Sequence, residues 1–202
     1  MSVQTGSSYD ALRAAIVSGD IAPDARLVEA DVSATFGMSR GAVRTALIRL
    51  EQDGLVVREP HRGARVRKVS NEEAVEILQA RAVLEGLAAR QAAERIDEAG
   101  KEHLAACLAR QRGLLELSGH GTAQRLINAL HAQTVRYQYR TILIPGRSAA
   151  SVGEHAAIVD AVLGGRPDDA DAAMRRHLFN VAQAVRRQFI PEDIDKASRG
   201  AL

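Results

Sequence analysis

The chain contains no tryptophan, and its three tyrosines and three phenylalanines make aromatic residues only 3% of 202. Proteins that hold single-stranded nucleic acid stack successive bases on aromatic rings, so the composition argues against such platforms, whereas duplex reading needs none. The single cysteine, Cys107, cannot close an intramolecular disulfide, which suits a reducing compartment. No apolar signal segment and no apolar run of membrane length occurs, so a cytoplasmic protein without a membrane partner is expected. An excess of one charge is missing too: 27 Lys and Arg face 25 Asp and Glu, a formal net charge of +2. No global basic field announces a nucleic-acid partner, and any such case rests on local distribution. No low-complexity tract or internal repeat is evident, and the length suits two small domains, each with its own core.

What is present is organised around Phe36-Gly37-Met38-Ser39-Arg40-Gly41-Ala42-Val43-Arg44-Thr45-Ala46-Leu47-Ile48-Arg49-Leu50. Gly37 can take the positive φ of a tight turn, and the Ser39 hydroxyl can accept from the first N–H groups of the following helix. Val43, Ala46, Leu47 and Leu50 recur at helical spacing on one face, while Arg40 and Arg44 lie one turn apart elsewhere. Arginine in a first turn meets the positive end of the helix dipole, so an anion outside the protein would account for it. A recognition helix and an ordinary surface helix with scattered arginines both fit this stretch taken alone.

Its surroundings add to the first reading. Tyr9 to Ser18 forms a short helix closed by Gly19, and Leu27 to Phe36 a second one running into the Gly37 turn. After Asp53-Gly54, the β-prone runs Leu55-Val56-Val57 and Ala64-Arg65-Val66-Arg67 flank Pro60-His61-Arg62-Gly63, a hairpin carrying Arg58, Arg62, Arg65, Arg67 and Lys68 against Glu59. A basic hairpin beside a helix-turn-helix is a wing, able to reach phosphates or a minor groove. Residues 8 to 69 resemble the winged-helix domain of GntR-family transcriptional regulators. The likeness is carried by Gly19-Asp20-Ile21-Ala22-Pro23, Phe36 through Leu47, Leu50, Asp53-Gly54-Leu55-Val56, Arg62-Gly63 and Val66. It implies operator contacts from Ser39, Arg40, Gly41, Arg44 and Arg49 and from His61, Arg62 and Gly63 of the wing. Gly41-Ala42 stands where the family often has Thr-Pro, and Thr45 where Glu is frequent, so operator binding transfers more readily than operator sequence.

A capping box, Ser70-Asn71-Glu72-Glu73, opens the second half. Helices are expected over 74–96, 102–117 and 122–143, then one opened by a second capping box, Ser151-Val152-Gly153-Glu154, and a last one from Pro167 to Ile190. The fold class is therefore mainly α: a winged helix-turn-helix over 1–69, an all-helical bundle over 70–190 and a mobile tail over 191–202.

Within the bundle, polar groups on apolar stripes must find partners. His131, His155 and His177 come from three separate helices, and each is either a satisfied core residue or one of three imidazoles converging on a divalent transition metal. Arg81, on the stripe Ile77, Leu84, Ala88, either forms a salt bridge or presents its guanidinium to a ligand. Residues 70 to 190 resemble the FCD effector domain of the FadR branch, in the shorter VanR-type length, through Arg81-Ala82-Val83-Leu84-Glu85, Leu130-His131, Glu154 through Ala161 and Met174 through Leu178. That resemblance implies zinc or nickel on His131, His155 and His177, and a small carboxylate effector gripped by Arg81. It also implies an aspartate one turn before His131, where this chain has Ile127. The expected function is a homodimeric transcription regulator whose affinity for double-stranded operator DNA responds to a small organic acid. The rivals are a three-histidine metal-dependent hydrolase, disfavoured because no inward carboxylate is placed as a general base, and a constitutive DNA-binding protein whose bundle only dimerises.

Overall fold

A computed structural model describes residues 8–59, 63–106 and 110–190; the wing residues His61 and Arg62 and the 191–202 tail lie outside them. The chain divides into two compact units, one of Met1–Val69 with Ala129–Arg136, the other of Ser70–Asn128 with Tyr137–Leu202.

The first unit runs α1 (Ser8–Ser18), β1 (Arg26–Leu27), α2 (Glu29–Phe36), α3 (Arg40–Gln52), β2 (Val56–Glu59) and β3 (Gly63–Val66). The strands form an antiparallel sheet in the order β1-β3-β2, with Val56 opposite Val66 and Glu59 opposite Gly63. β1 was not anticipated. Arg26 and Leu27 pair with Arg65 and Ala64, so Leu27 belongs to the sheet rather than to the start of α2, which begins two residues later. Two residues are too few for alternation to show, and only the partner strand makes this a strand. The core joins Leu12 and Ile16 of α1, Val32 of α2, the Val43, Ala46, Leu47 and Leu50 stripe of α3, and Val56, Ala64 and Val66 of the sheet. Winged helix-turn-helix architecture is thereby confirmed.

The second unit comprises α4 (Asn71–Arg95), α5 (Glu98–Ala106), α6 (Arg110–Ser118), α7 (Gly121–Ile142, its 129–136 stretch grouping with the first unit), α8 (Arg147–Leu163) and α9 (Pro167–Phe189). Ser70 caps α4 as expected, its hydroxyl accepting from Glu73 N at 3.1 Å. α4 and α9 pack antiparallel: the Asn71 amide donates to Phe189 O at one end, and Arg90 pairs with Asp168 at the other. Small residues on α4, namely Ala74, Ala88, Ala89, Ala92 and Ala93, let α9 and α6 approach closely, while α9 buries Ala170, Ala173, Met174, Leu178, Val181 and Val185 along one stripe. Two expected boundaries are corrected. Helix begins at Glu98 rather than Glu102, and α8 begins at Arg147, after Gly146 turns the chain at φ 77°. Ser151 is therefore inside α8 and caps nothing. Four residues of loop become a first helical turn, which changes the chemistry of the unit, as shown below.

Leu50, fully buried where α3 meets α1 and the sheet, offers a direct check of this core. Leu50→Ala is expected to destabilise the first unit by about 2–5 kcal/mol, measured as a shift of the denaturant midpoint.

Candidate functional site

Two surfaces carry chemistry, one in each unit. In the first, Gly37 closes α2 in the left-handed region at φ 64°, and the Ser39 hydroxyl accepts from Ala42 N at 3.2 Å to open α3. The turn thus sets where α3 starts. With Val43, Ala46, Leu47 and Leu50 buried, the opposite face presents Gly41, Arg44, Thr45 and Ile48 at the same helical spacing, with Arg40 exposed beside them. Nothing lies within 4 Å of where a Gly41 side chain would start, so this face is open. Ile48 was not singled out in the sequence, and Thr45 only as a departure from the family pattern, although the complement of the buried stripe contains both.

Arg44 is held in place from α2. Its Nε and Nη2 donate to the two carboxylate oxygens of Glu29 at 3.1 and 2.9 Å, and these bonds hold the Glu29 carboxyl below its ordinary range. One edge of the guanidinium is thereby taken and the Nη1 edge is left outward, a planar donor on a fixed stem. Arg49 is used differently: its guanidinium lies over the Tyr9 ring, 4.1 Å from the centroid, and the Tyr9 hydroxyl bonds the Asp53 carboxylate. Arg49 therefore ties α3 to α1. Gly63 opens β3 at φ 86°, a conformation side chains avoid, and Arg65 bonds Asp24 at 3.2 Å.

In the second unit, α4, α8 and α9 surround a cavity of about 500 Å³, whose lining includes Arg81, Glu85, Arg147, Ser151, His155 and His177. Arg81 and Glu85 are 1% and 2% exposed, and Arg81 Nε donates to Glu85 Oε1 at 2.7 Å, one turn along α4. The salt-bridge alternative for Arg81 is thus realised, and its charge is matched from within the helix.

A second charged cluster was missed in the sequence. Glu154 accepts from Arg147 Nη2 at 2.8 Å, from Asn180 Nδ2 at 2.8 Å and from His177 Nδ1 at 2.7 Å. Burial raises the Glu154 carboxyl, but the hydrogen bonds from Arg147, Asn180 and His177 outweigh it and hold it below the usual range. Burial dominates at His177 and lowers its pKa, which favours neutral imidazole. With Nδ1–H committed to Glu154, His177 presents the Nε2 lone pair, and His155 Nε2 lies 3.2 Å from it. The network assigns the proton to His155. Arg147 Nη1, on a side chain 10% exposed, is buried with no hydrogen-bond partner. The signal for this cluster was available, since Arg147 and Glu154 stand two turns apart. Placing the helix start at Ser151 hid it by putting Arg147 in a loop and Glu154 in a cap.

Of the three histidines proposed as metal ligands, the structure pairs His155 with His177; His131 lies half-buried in the α7 stretch that groups with the first unit. Among the described residues no group of three or more His, Cys, Asp or Glu side chains could hold a metal ion. Ile127, at the position of the implied aspartate, is buried with Ala88, Leu115 and Ala123, an apolar cluster that would penalise a carboxylate. Within the second unit His155 and His177 share a hydrogen bond, and no carboxylate stands where the resemblance implies one.

A helix-turn-helix with a basic wing, followed in one chain by a helical unit with a charge-lined pocket, defines the class of winged-helix regulators. Residues 5–66 match the family described as bacterial regulatory proteins, gntR family, and residues 111–180 match the FCD domain. The N-terminal part thus matches a GntR DNA-binding domain and the C-terminal part an FCD domain. It is 29% identical to the HTH-type transcriptional repressor RspR of Escherichia coli K12, over 89% of this chain and 87% of the relative. To an uncharacterized HTH-type regulator in an unstable DNA locus of Streptomyces ambofaciens it is also 29% identical, over 89% and 84%. Escherichia coli McbR/YncC has the same fold, with a TM-score of 0.77 at 18% identity over 94% of this chain and 100% of that one. The two sequence relatives are named as HTH-type transcriptional regulators, and DNA-binding regulation is the function they support. Among the described residues no helix is long and apolar enough to cross a membrane.

The Arg81–Glu85 pair gives a measurable signature. Arg81→Met alone strands a buried carboxylate and is expected to cost about 3–5 kcal/mol, while Arg81→Met with Glu85→Leu recovers most of that loss in denaturant titrations.

Proposed function

We propose that the chain is a ligand-responsive, homodimeric cytoplasmic regulator. The exposed face of α3, with Arg40 and Arg44, enters the major groove of one half of a two-fold operator, and the wing carrying Gly63 reaches the flanking backbone. A small organic acid taken up in the cavity among α4, α8 and α9 changes operator affinity. The observation that carries the ligand-responsive part is the buried charge around that cavity. A bundle that served only to dimerise would be more stable with apolar residues at Arg81, Glu85, Arg147 and Glu154, because desolvating ionised groups costs more than such pairs return. Their presence around a pocket supports a binding role and disfavours the constitutive reading. Dimerisation follows from the shortness of the site one winged helix can read and from the symmetry of a palindrome.

The DNA part is tested with a duplex selected from a random pool by the protein itself, at fixed salt. Arg40→Ala and Arg44→Ala are each expected to weaken binding by about 1–3 kcal/mol in fluorescence anisotropy. Unchanged affinity in both would remove α3 from the interface. Light scattering of the free protein is expected to give twice the 21.7 kDa chain mass; a monomer, unchanged by DNA, would remove the two-fold arrangement. An effector should shift duplex affinity by roughly 5- to 150-fold, the usual range of coupling between two sites.

A further inference from the structure

The arginines that line the cavity are each paired: Arg81 with Glu85 on α4, and Arg147 with Glu154 on α8. Arg147, which lines the cavity, uses only Nη2 for its pair, and its Nη1 is buried without an acceptor. A buried guanidinium N–H without an acceptor is costly, and an acceptor delivered by a ligand would remove that cost with a charge-assisted bond. The same face of α8 adds the Ser148 and Ser151 hydroxyls, and Leu78, Leu114, Ile158, Met174, Leu178 and Val181 form much of the remaining wall.

We infer that Arg147, rather than Arg81, anchors the ligand, and that the ligand is an apolar monocarboxylic acid with its carboxylate on Arg147 Nη1 and its hydrocarbon body against the α4 and α9 wall. This inference rests on the effector-binding reading above and narrows it. One unpartnered cationic donor matches one carboxylate. A second carboxylate on the same ligand would meet Arg81, whose charge Glu85 already balances, and a polyhydroxylated body would bury hydroxyls against an apolar wall. The cavity, at about 500 Å³, falls in the range used for small-molecule ligands.

The test is calorimetric titration of the full chain with sodium hexanoate, hexan-1-ol, adipate and gluconate, in the wild type and in Arg147→Lys. The lysine keeps one cation for Glu154 but lacks the second, separately placed donor, so folding is preserved while the anchor is lost. Hexanoate is expected to bind the wild type more tightly than the other three. Arg147→Lys is expected to weaken hexanoate about ten- to hundredfold, the worth of a hydrogen bond to a charged group, with a ligand-free melting temperature near that of the wild type. If Arg147→Lys does not fold, the wild-type ranking decides by itself. Equal hexanoate affinity in a folded Arg147→Lys, or hexan-1-ol binding as well as hexanoate, overturns the inference. Preference for adipate or gluconate also overturns it, while leaving an acid-binding cavity and the ligand-responsive reading intact. Failure of all three acids to bind the wild type overturns both.

Discussion

The cost of removing an ionised group from water shapes the helical unit more than any other constraint. Carboxylates and guanidiniums taken into a space walled by Leu, Ile, Val and Met must meet a partner at hydrogen-bond distance or be expelled. Arg81 and Glu85 satisfy this within one turn of α4, so their side chains can be almost fully covered. Glu154 satisfies it by recruiting Arg147 from its own helix and His177 and Asn180 from α9, which fixes the rotation of α8 against α9. His155 then lies against His177, at 3.2 Å between ring nitrogens and 4.4 Å between centroids. The cavity is what remains when these obligations and the apolar stripes of α4 and α9 are met together.

The DNA-binding unit obeys a more local logic. Gly37 and Ser39 determine where α3 begins, the buried stripe determines how it is rotated, and the exposed stripe follows by exclusion. Glu29 and Tyr9 then give Arg44 and Arg49 different tasks, although the two look alike in the sequence. Arg44 is clamped through one edge with the other facing out, and Arg49 is laid on an aromatic ring. A cation clamped by a carboxylate loses less side-chain entropy when it meets a base edge or phosphate, while the carboxylate discourages indiscriminate attachment to phosphate.

Much of this could be read from residues in order. The winged helix, the α4 cap at Ser70, the proline start of α9 and the amphipathic stripes of α3 and α9 are written in spacings of a few residues, because caps, turns and helical faces are short-range physics. Arg81 was legible as an inward arginine, and both of its fates were foreseeable. The sequence could not choose between them, since Glu85 one turn away serves equally as a surface neighbour or a buried partner until burial is known.

Other features exist only because distant segments meet. The two-residue β1 is a strand only against β3. The extra turn of α8, which brings Arg147 into register with Glu154, is secured by contacts reaching to His177, 23 residues beyond Glu154. Three inward histidines looked alike by periodicity; tertiary packing paired His155 with His177 and put Ile127 in an apolar cluster where the resemblance implied a carboxylate. The physical reason is range. Backbone conformation and helical faces are decided within about four residues of a position, whereas the partner of a buried charge is whatever the fold brings to within about 3 Å of it, from anywhere in the chain.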